Sequence, residues 1–441
     1  MTNLKFNYMN KLLPFFVLFF IASAAHSQEL LTVEAAVKIA LENNYQIRIA
    51  ANELKINQTG VSVGNAGMLP SVGATLNNNN SIQNSSQTRA DGNTVELDNA
   101  KNNSLNYGVV MDWTLFDGFK MFARYDQLKE QEKLSDAQLK QAVITKVSDV
   151  MIGYYDLVQQ QQQLVALDST LVISEQRLKL ADNRFTIGKA SKLEVLNAKV
   201  DLNTDLTTIL RQKELFANTK IRLNEILARD TKIDFSVINE ITLAEQLFLP
   251  ELEALAQKQN PLLQAQIINN NIARLQLKQV KAARYPTITA STGYVFSESE
   301  SSLGFTTSAN SRGWNYGFSA RLNLFDGFTQ NQQEKIAKIQ LENTAIEISQ
   351  QRQTLASELG TAYQTYLTNI SLIELERSNA AIAKENLDIT MEKFRIGTIP
   401  TIEFRTAQLN YINAIVRYSN AKFQAKLSEN SLKELAGNLM F

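Results

Sequence analysis

The chain has 441 residues, 44 basic and 44 acidic side chains, no cysteine and one histidine, His26. Once the leader described next is removed, the mature chain holds neither His nor Cys, which excludes disulfides, zinc fingers, Ser-His-Asp triads and Cys-His nucleophile pairs. Carboxylate, Lys or Tyr chemistry stays formally open, and nothing in the charge balance points to the basic stripe a nucleic-acid partner requires.

Lys5 and Lys11 precede the apolar run Leu12–Ala22, and Ala25 and Ser27 stand at the −3 and −1 positions before Gln28. That pattern predicts a cleaved secretory signal peptide over 1–27. Eleven apolar residues are too few to span a bilayer. Removal takes two lysines and no acid, leaving 42 basic against 44 acidic residues and a net charge of −2. No run of 18 apolar residues occurs in the remainder, so no transmembrane helix is expected.

A first helix is followed by a β-hairpin over about 70–116. From Leu105 the sequence alternates, with Leu105, Tyr107, Val109, Met111, Trp113 and Leu115 on one face and Asn106, Gly108, Val110, Asp112 and Thr114 on the other. Its partner strand is expected over Ser71–Asn77, leaving 78–103 as a polar loop. Residues 105–116 reach roughly 40 Å at about 3.3 Å per residue, enough to cross a bilayer at a steep tilt. Aromatics near the ends of the apolar face and small polar residues opposite fit a membrane β-hairpin better than a sheet on a soluble core.

A long helix is predicted over 120–183, with Gly153 its only glycine and no proline. At about 1.5 Å per residue it extends roughly 96 Å. Leu164, Leu167, Leu171, Ser174, Leu178, Ala181 and Phe185 give a coiled-coil stripe with one polar interruption. The run Gln159–Gln163 reads as a helix face wetted by solvent or by a channel. The tip turn 184–191 follows: Gly188 supplies a left-handed C-cap, and Ser191 with Glu194 forms a capping box. In the outgoing helix Val195, Leu202, Ile209, Phe216 and Leu223 recur every seven residues. Residues 229–248 lack helical periodicity and link the halves, with room for a short strand.

The second half, 249–441, copies the first, 28–228. Leu115-Phe116-Asp117-Gly118-Phe119 recurs as Leu324-Phe325-Asp326-Gly327-Phe328, and Arg184-Phe185-Thr186-Ile187-Gly188 as Lys393-Phe394-Arg395-Ile396-Gly397, both at an offset of 209. Upstream the offset is 216, taking Asn44 to Asn260 and Pro70 to Pro286. The difference falls in the polar stretch between Pro70 and Asn106, where loops absorb length changes. The copy predicts a second hairpin over about 286–325 with a loop at 297–311. It also predicts a second tip turn, 393–401, and an outgoing helix in which Ile402, Leu409, Val416 and Phe423 recur every seven residues. Four strands cannot close a barrel and an open edge is intolerable in lipid, so other copies must supply the rest. Eight, twelve or sixteen strands mean two, three or four subunits.

The leader, the duplicated strand-pair-and-long-helix unit, the paired Leu-Phe-Asp-Gly-Phe junctions and the two glycine turns together resemble the TolC-like outer-membrane efflux channels of Gram-negative bacteria. The resemblance implies a mainly α fold with membrane β: a duplicated helix–β-hairpin–long helix–helix unit. In it each chain gives four strands to a trimeric, 12-stranded outer-membrane barrel continued by a long periplasmic α-helical barrel. It implies a channel and not an enzyme, without cofactor or metal, serving as passive exit duct of a tripartite efflux or type I secretion system. Its partners would be two further copies, outer-membrane lipids, a periplasmic adaptor (membrane fusion) protein and an inner-membrane transporter. On that analogy Arg184, Phe185, Gly188, Ser191, Phe394, Gly397 and Thr401 form the adaptor-docking tip, and Glu194 and Glu403 are gate acids. Some family members carry an Arg just beyond the second turn; here that stretch is Thr398-Ile399-Pro400. The alternative is a barrel-anchored coiled-coil structural or adhesive surface protein, with a barrel enzyme third.

Overall fold

The computed structural model describes residues 29–243, 246–302 and 306–439; the expected leader, 1–27, lies outside the described residues. The first half runs β1 (Glu29–Leu31), α1 (Val33–Asn43), α2 (Tyr45–Gly60), β2 (Ser71–Thr88), β3 (Thr94–Asp117), α3 (Lys120–Thr186) and α4 (Lys192–Ile226). The second runs β4 (Phe235–Val237), α5 (Leu249–Gln259), α6 (Pro261–Ala282), β5 (Thr287–Ser301), β6 (Ser308–Arg321), α7 (Thr329–Ile396) and α8 (Thr401–Leu435). The long helices α3 and α7, of 67 and 68 residues, extend about 100 Å each.

The halves match down to single hydrogen bonds. Asn44 Oδ1 accepts from the backbone N–H of Gln46 at 2.9 Å, while its Nδ2 donates to the Ile226 carbonyl at 3.0 Å. Asn260 accepts from Leu263 N–H at 3.0 Å and donates to the Leu435 carbonyl at 3.0 Å. Each asparagine thus caps the start of one helix and the end of another. Tyr154 Oη donates to the Leu31 carbonyl at 3.1 Å, and its copy Tyr363 to that of Leu247 at 3.3 Å.

The repeated Leu-Phe-Asp-Gly-Phe motif now has a mechanical reason. Gly118 and Phe119 take left-handed backbone angles (φ 71° and 67°), as do Gly327 and Phe328 (68° and 66°). Two such residues in succession swing the chain from strand to helix, a geometry that favours glycine at the first position. The aspartate then caps the helix: Met121 N–H donates to both Asp117 oxygens at 3.0 and 3.2 Å, and Gln330 N–H to Asp326 at 2.8 Å. The two phenylalanines of each motif meet edge to face, at 5.3 and 5.4 Å between centroids.

The four long strands form one antiparallel sheet in the order β2-β3-β5-β6, with Leu76 opposite Tyr107, Tyr107 opposite Phe296, and Thr292 opposite Tyr316. The strands are longer than sequence alternation predicts. β2 runs on to Thr88 and β3 starts at Thr94, so the expected loop over 78–103 is mostly strand. β5 likewise reaches Ser301 and β6 begins at Ser308, while β6 stops at Arg321 rather than near 325. Asn, Ser and Gln carry no alternating hydropathy, yet main-chain pairing with an ordered neighbour holds them extended. Neither face of the sheet is covered at β6, where every residue but Gly313 is exposed, Tyr316 and Phe318 to 85% and 82%. β2 and β6 are the sheet edges, and among the described residues each has a neighbouring strand on one side only. All four strands join helices at one end, and the connection 89–93 lies at the other, where β5 ends at Ser301 and β6 begins at Ser308.

Below the sheet, α3 pairs with α4 and α7 with α8, and α8 also lies against α3. The largest apolar cluster gathers Val150, Leu157 and Val158 of α3, Leu223 of α4, Leu227 and Phe235. β4 pairs in parallel with β1 there, joining the inter-repeat segment to the start of the described chain. Two expectations hold only in part. Of the glutamine run, Gln161–Gln163 are partly exposed, but Gln159 and Gln160 are buried: Gln159 donates to Asn420 at 3.3 Å and Gln160 to Thr219 at 2.9 Å, binding three helices together. In α8 the seven-residue stripe is exposed at Ile402 and Leu409, half-buried at Val416 and buried at Phe423, while Phe404, Ala407, Ala414 and Ala425 are also buried. α8 is sandwiched between α7 and α3, so its inward face is wide and takes small and polar residues for close approach.

Candidate functional site: the helical tip

The end of the helices farthest from the sheet is made by two turns. In the first, Gly188 (φ 74°) lets its N–H and that of Lys189 reach the carbonyls of Phe185 and Arg184 at 2.9 and 2.7 Å. Gly397 (φ 82°) and Thr398 repeat the pattern onto Phe394 and Lys393, both at 3.0 Å. Ser191 caps α4 by accepting from Glu194 N–H at 3.3 Å. The reciprocal half of the expected capping box is absent, because the Glu194 carboxylate turns to Arg184 at 3.5 Å. At the second turn the N-cap is Pro400, which offers no side-chain cap, and the Thr401 hydroxyl is buried without a hydrogen-bond partner among the described residues.

Arg184 links the two turns. Its guanidinium pairs with Glu194, lies 5.7 Å from the Phe394 ring centroid, and approaches the space beside Gly397. Phe394 is 2% exposed and stacks on Phe404 at 5.1 Å and 12°. Its copy Phe185 is exposed, with Lys192 Nζ over its ring at 5.1 Å. The structure therefore brings Arg184, Glu194, Phe394 and Gly397 together and leaves Phe185 and Glu403 on the surface. Glu403 forms no ion pair among the described residues. An arginine does bridge the turns, but from the first turn rather than from beyond the second.

About three helical turns from the tip lies a buried polar network that the sequence reading missed. Arg405 of α8 grips Asp205 of α4 with two hydrogen bonds, 2.7 and 2.8 Å. Ser174 of α3 donates to the same carboxylate at 2.6 Å, and Gln408 donates to Ser174 at 2.8 Å. Arg177 of α3 pairs with Asp201 at 2.5 Å, and Arg405 Nε stands 3.8 Å from Asp201. Burial lowers the Arg177 pKa from its usual value, with Asp201 opposing the shift. Two arginines and two aspartates balance in charge and tie the first repeat to the second. The one legible signal was Ser174, the polar residue interrupting the leucine stripe of α3.

An uncovered sheet rich in exposed aromatics, continued by helices of about 100 Å that end in a closed set of turns, defines a membrane channel subunit. The chain belongs to the outer membrane efflux protein family, whose sequence model matches residues 36–229 and 252–438, one copy in each half. It is a TolC-like outer-membrane efflux channel of Gram-negative type, and the family is one of channels rather than enzymes. Among relatives, the proteases secretion protein PrtF of Dickeya chrysanthemi is 22% identical over 416 residues, covering 92% of this chain and 87% of that protein. The outer membrane protein TolC of Vibrio cholerae is 21% identical over 441 residues, covering 98% and 96%. The CmeC outer membrane channel of Campylobacter jejuni superposes with a TM-score of 0.77 at 17% identity, covering 92% of this chain and 85% of that one.

Proposed function

We propose that three copies close a twelve-stranded barrel and that the assembly is the passive exit duct of a tripartite efflux or type I secretion system. The carrying observation is the pair of incomplete edges on one protomer. The outer sides of β2 and β6 are unpaired among the described residues, and apolar stripes stand exposed on the outer helices: Leu193, Leu196 and Val200 on α4, Ile382, Ile389 and Ile396 on α7. In the middle of the protomer the equivalent edges are filled, β3 by β5 and α3 by α8. A neighbouring copy meets both needs with one rotation, and closure removes the edges that lipid does not tolerate. The name of PrtF, a proteases secretion protein, supports a secretion role, and that of the family, outer membrane efflux protein, an efflux role.

In this reading the tip carrying Arg184, Phe185, Gly188, Ser191, Phe394, Gly397 and Thr401 docks a periplasmic adaptor fed by an inner-membrane transporter. Glu403, exposed and unpaired, is the gate acid. Glu194, held by Arg184, contributes less. A photo-crosslinking residue at Phe185 or Thr398 in the native host tests the docking. Adducts to a periplasmic coiled-coil protein are expected; adducts only to other copies of this chain would refute it.

A further inference from the structure

We propose that the crevice between α3 and the α7–α8 pair near the tip is a binding site for a small amphipathic organic anion, a carboxylate on an aromatic or short aliphatic body. The crevice holds about 300 Å³, at the lower end of small-ligand pockets. Three cationic side chains line it, Arg177, Lys179 and Arg395, and no acidic residue does. Lys179 forms no ion pair among the described residues, and the partner of Arg395, Glu392 at 3.2 Å, lies outside the lining on the exposed face.

Arg177 carries the inference. Its side chain is fully buried, and only Nη2 is engaged, with Asp201 at 2.5 Å. Its Nε and Nη1 find no hydrogen-bond partner among the described residues. A buried guanidinium with idle donors is costly unless something accepts from them, and a carboxylate oxygen accepting from one of them supplies a charge-assisted bond. The remaining wall is mostly apolar, with Leu180, Phe394 and Phe404 facing the space and Gln176 and Asn183 as its uncharged polar members. An inorganic anion leaves that wall wet, and a neutral apolar molecule leaves the cations unanswered. Size, charge and wall together select a compact amphiphile. Because α3 belongs to the first repeat and α7–α8 to the second, the bound anion touches both.

The test uses the full-length oligomer in lipid nanodiscs with 4-(trifluoromethyl)benzoate as probe, followed by fluorine NMR and corrected with empty nanodiscs. The uncharged probe 4-(trifluoromethyl)benzamide and inorganic sulfate are the comparisons. The benzoate is expected to bind at least tenfold more tightly than the benzamide and to resist displacement by equimolar sulfate. Arg177→Gln removes the donors and Leu180→Trp fills the crevice; each is expected to weaken benzoate binding at least tenfold. Equal binding of benzoate and benzamide overturns the charge requirement, displacement by sulfate overturns the apolar one, and unchanged affinity in Leu180→Trp overturns the location. If Arg177→Gln fails to assemble, Leu180→Trp and the probe comparison decide the matter alone.

Discussion

The internal duplication predicts the strand register across the subunit boundary residue by residue. Adding 209 to β3 gives β6, and adding 216 to β2 gives β5. Applied to the β2–β3 pair Leu76 and Tyr107, these shifts yield Thr292 and Tyr316, which are paired in the structure. Applied to the β3–β5 pair Tyr107 and Phe296, they place Tyr316 of one protomer opposite Asn80 of the next. Directly opposed Cβ atoms lie about 4.5–5.5 Å apart, close enough for a disulfide after small adjustment. A slip of one residue sends the side chain to the other face, and a shift of four residues separates the pair by roughly 13 Å. The chain has no cysteine, so Asn80→Cys with Tyr316→Cys introduces the only thiols. Mild oxidation of outer membranes followed by non-reducing electrophoresis is expected to give covalent trimers. Leu76→Cys with Tyr316→Cys is expected to give none. Efficient crosslinking of the 76/316 pair, or failure of the 80/316 pair in assembled channel, would refute the register and with it the quasi-sixfold reasoning.

Arg405→Ala leaves Asp205 buried without its bidentate partner, which destabilises by about 3–5 kcal/mol in comparable sites. Faster hydrogen exchange over 170–210 is expected, with partial rescue by adding Asp205→Asn, and unchanged exchange would discount the network. Burial pushes the Tyr155 pKa up to about 12, so the folded chain keeps a proton that the unfolded chain releases near pH 10. The stability this contributes is complete below pH 10 and is lost as pH rises toward 12, so Tyr155→Phe should flatten the alkaline melting profile over that window. Asn44→Ala and Asn260→Ala each remove an N-cap and a bond to a distant helix end, lowering stability by about 1–2 kcal/mol per site. The two effects should be similar and additive in thermal unfolding.

Much of this architecture was legible because duplication doubles every signal. A five-residue motif or a glycine turn is weak alone, but Asp117 with Asp326, and Gly188 with Gly397, recur in register. Long helices without proline and strands with strict alternation also speak locally. The extensions of β2 and β5 did not, since their Asn- and Ser-rich stretches are extended by pairing rather than by hydropathy. The tip was half legible. The turns showed in Gly and Ser, but the partners that set Arg184, Phe394 and Arg405 in place come from the other repeat, some 200 residues away. Phe185 and Phe394 illustrate the limit: they are equivalent in sequence, yet only Phe394 has a neighbouring repeat within the protomer to bury it.

A water-filled duct across the outer membrane must conduct ions. Single-channel recording of the purified oligomer in planar bilayers tests it most directly. Discrete, long-lived conductance steps favouring cations are expected, with selectivity reduced more by Glu403→Gln than by Glu194→Gln. A correctly assembled oligomer that inserts into the bilayer and carries no ion current would refute the duct.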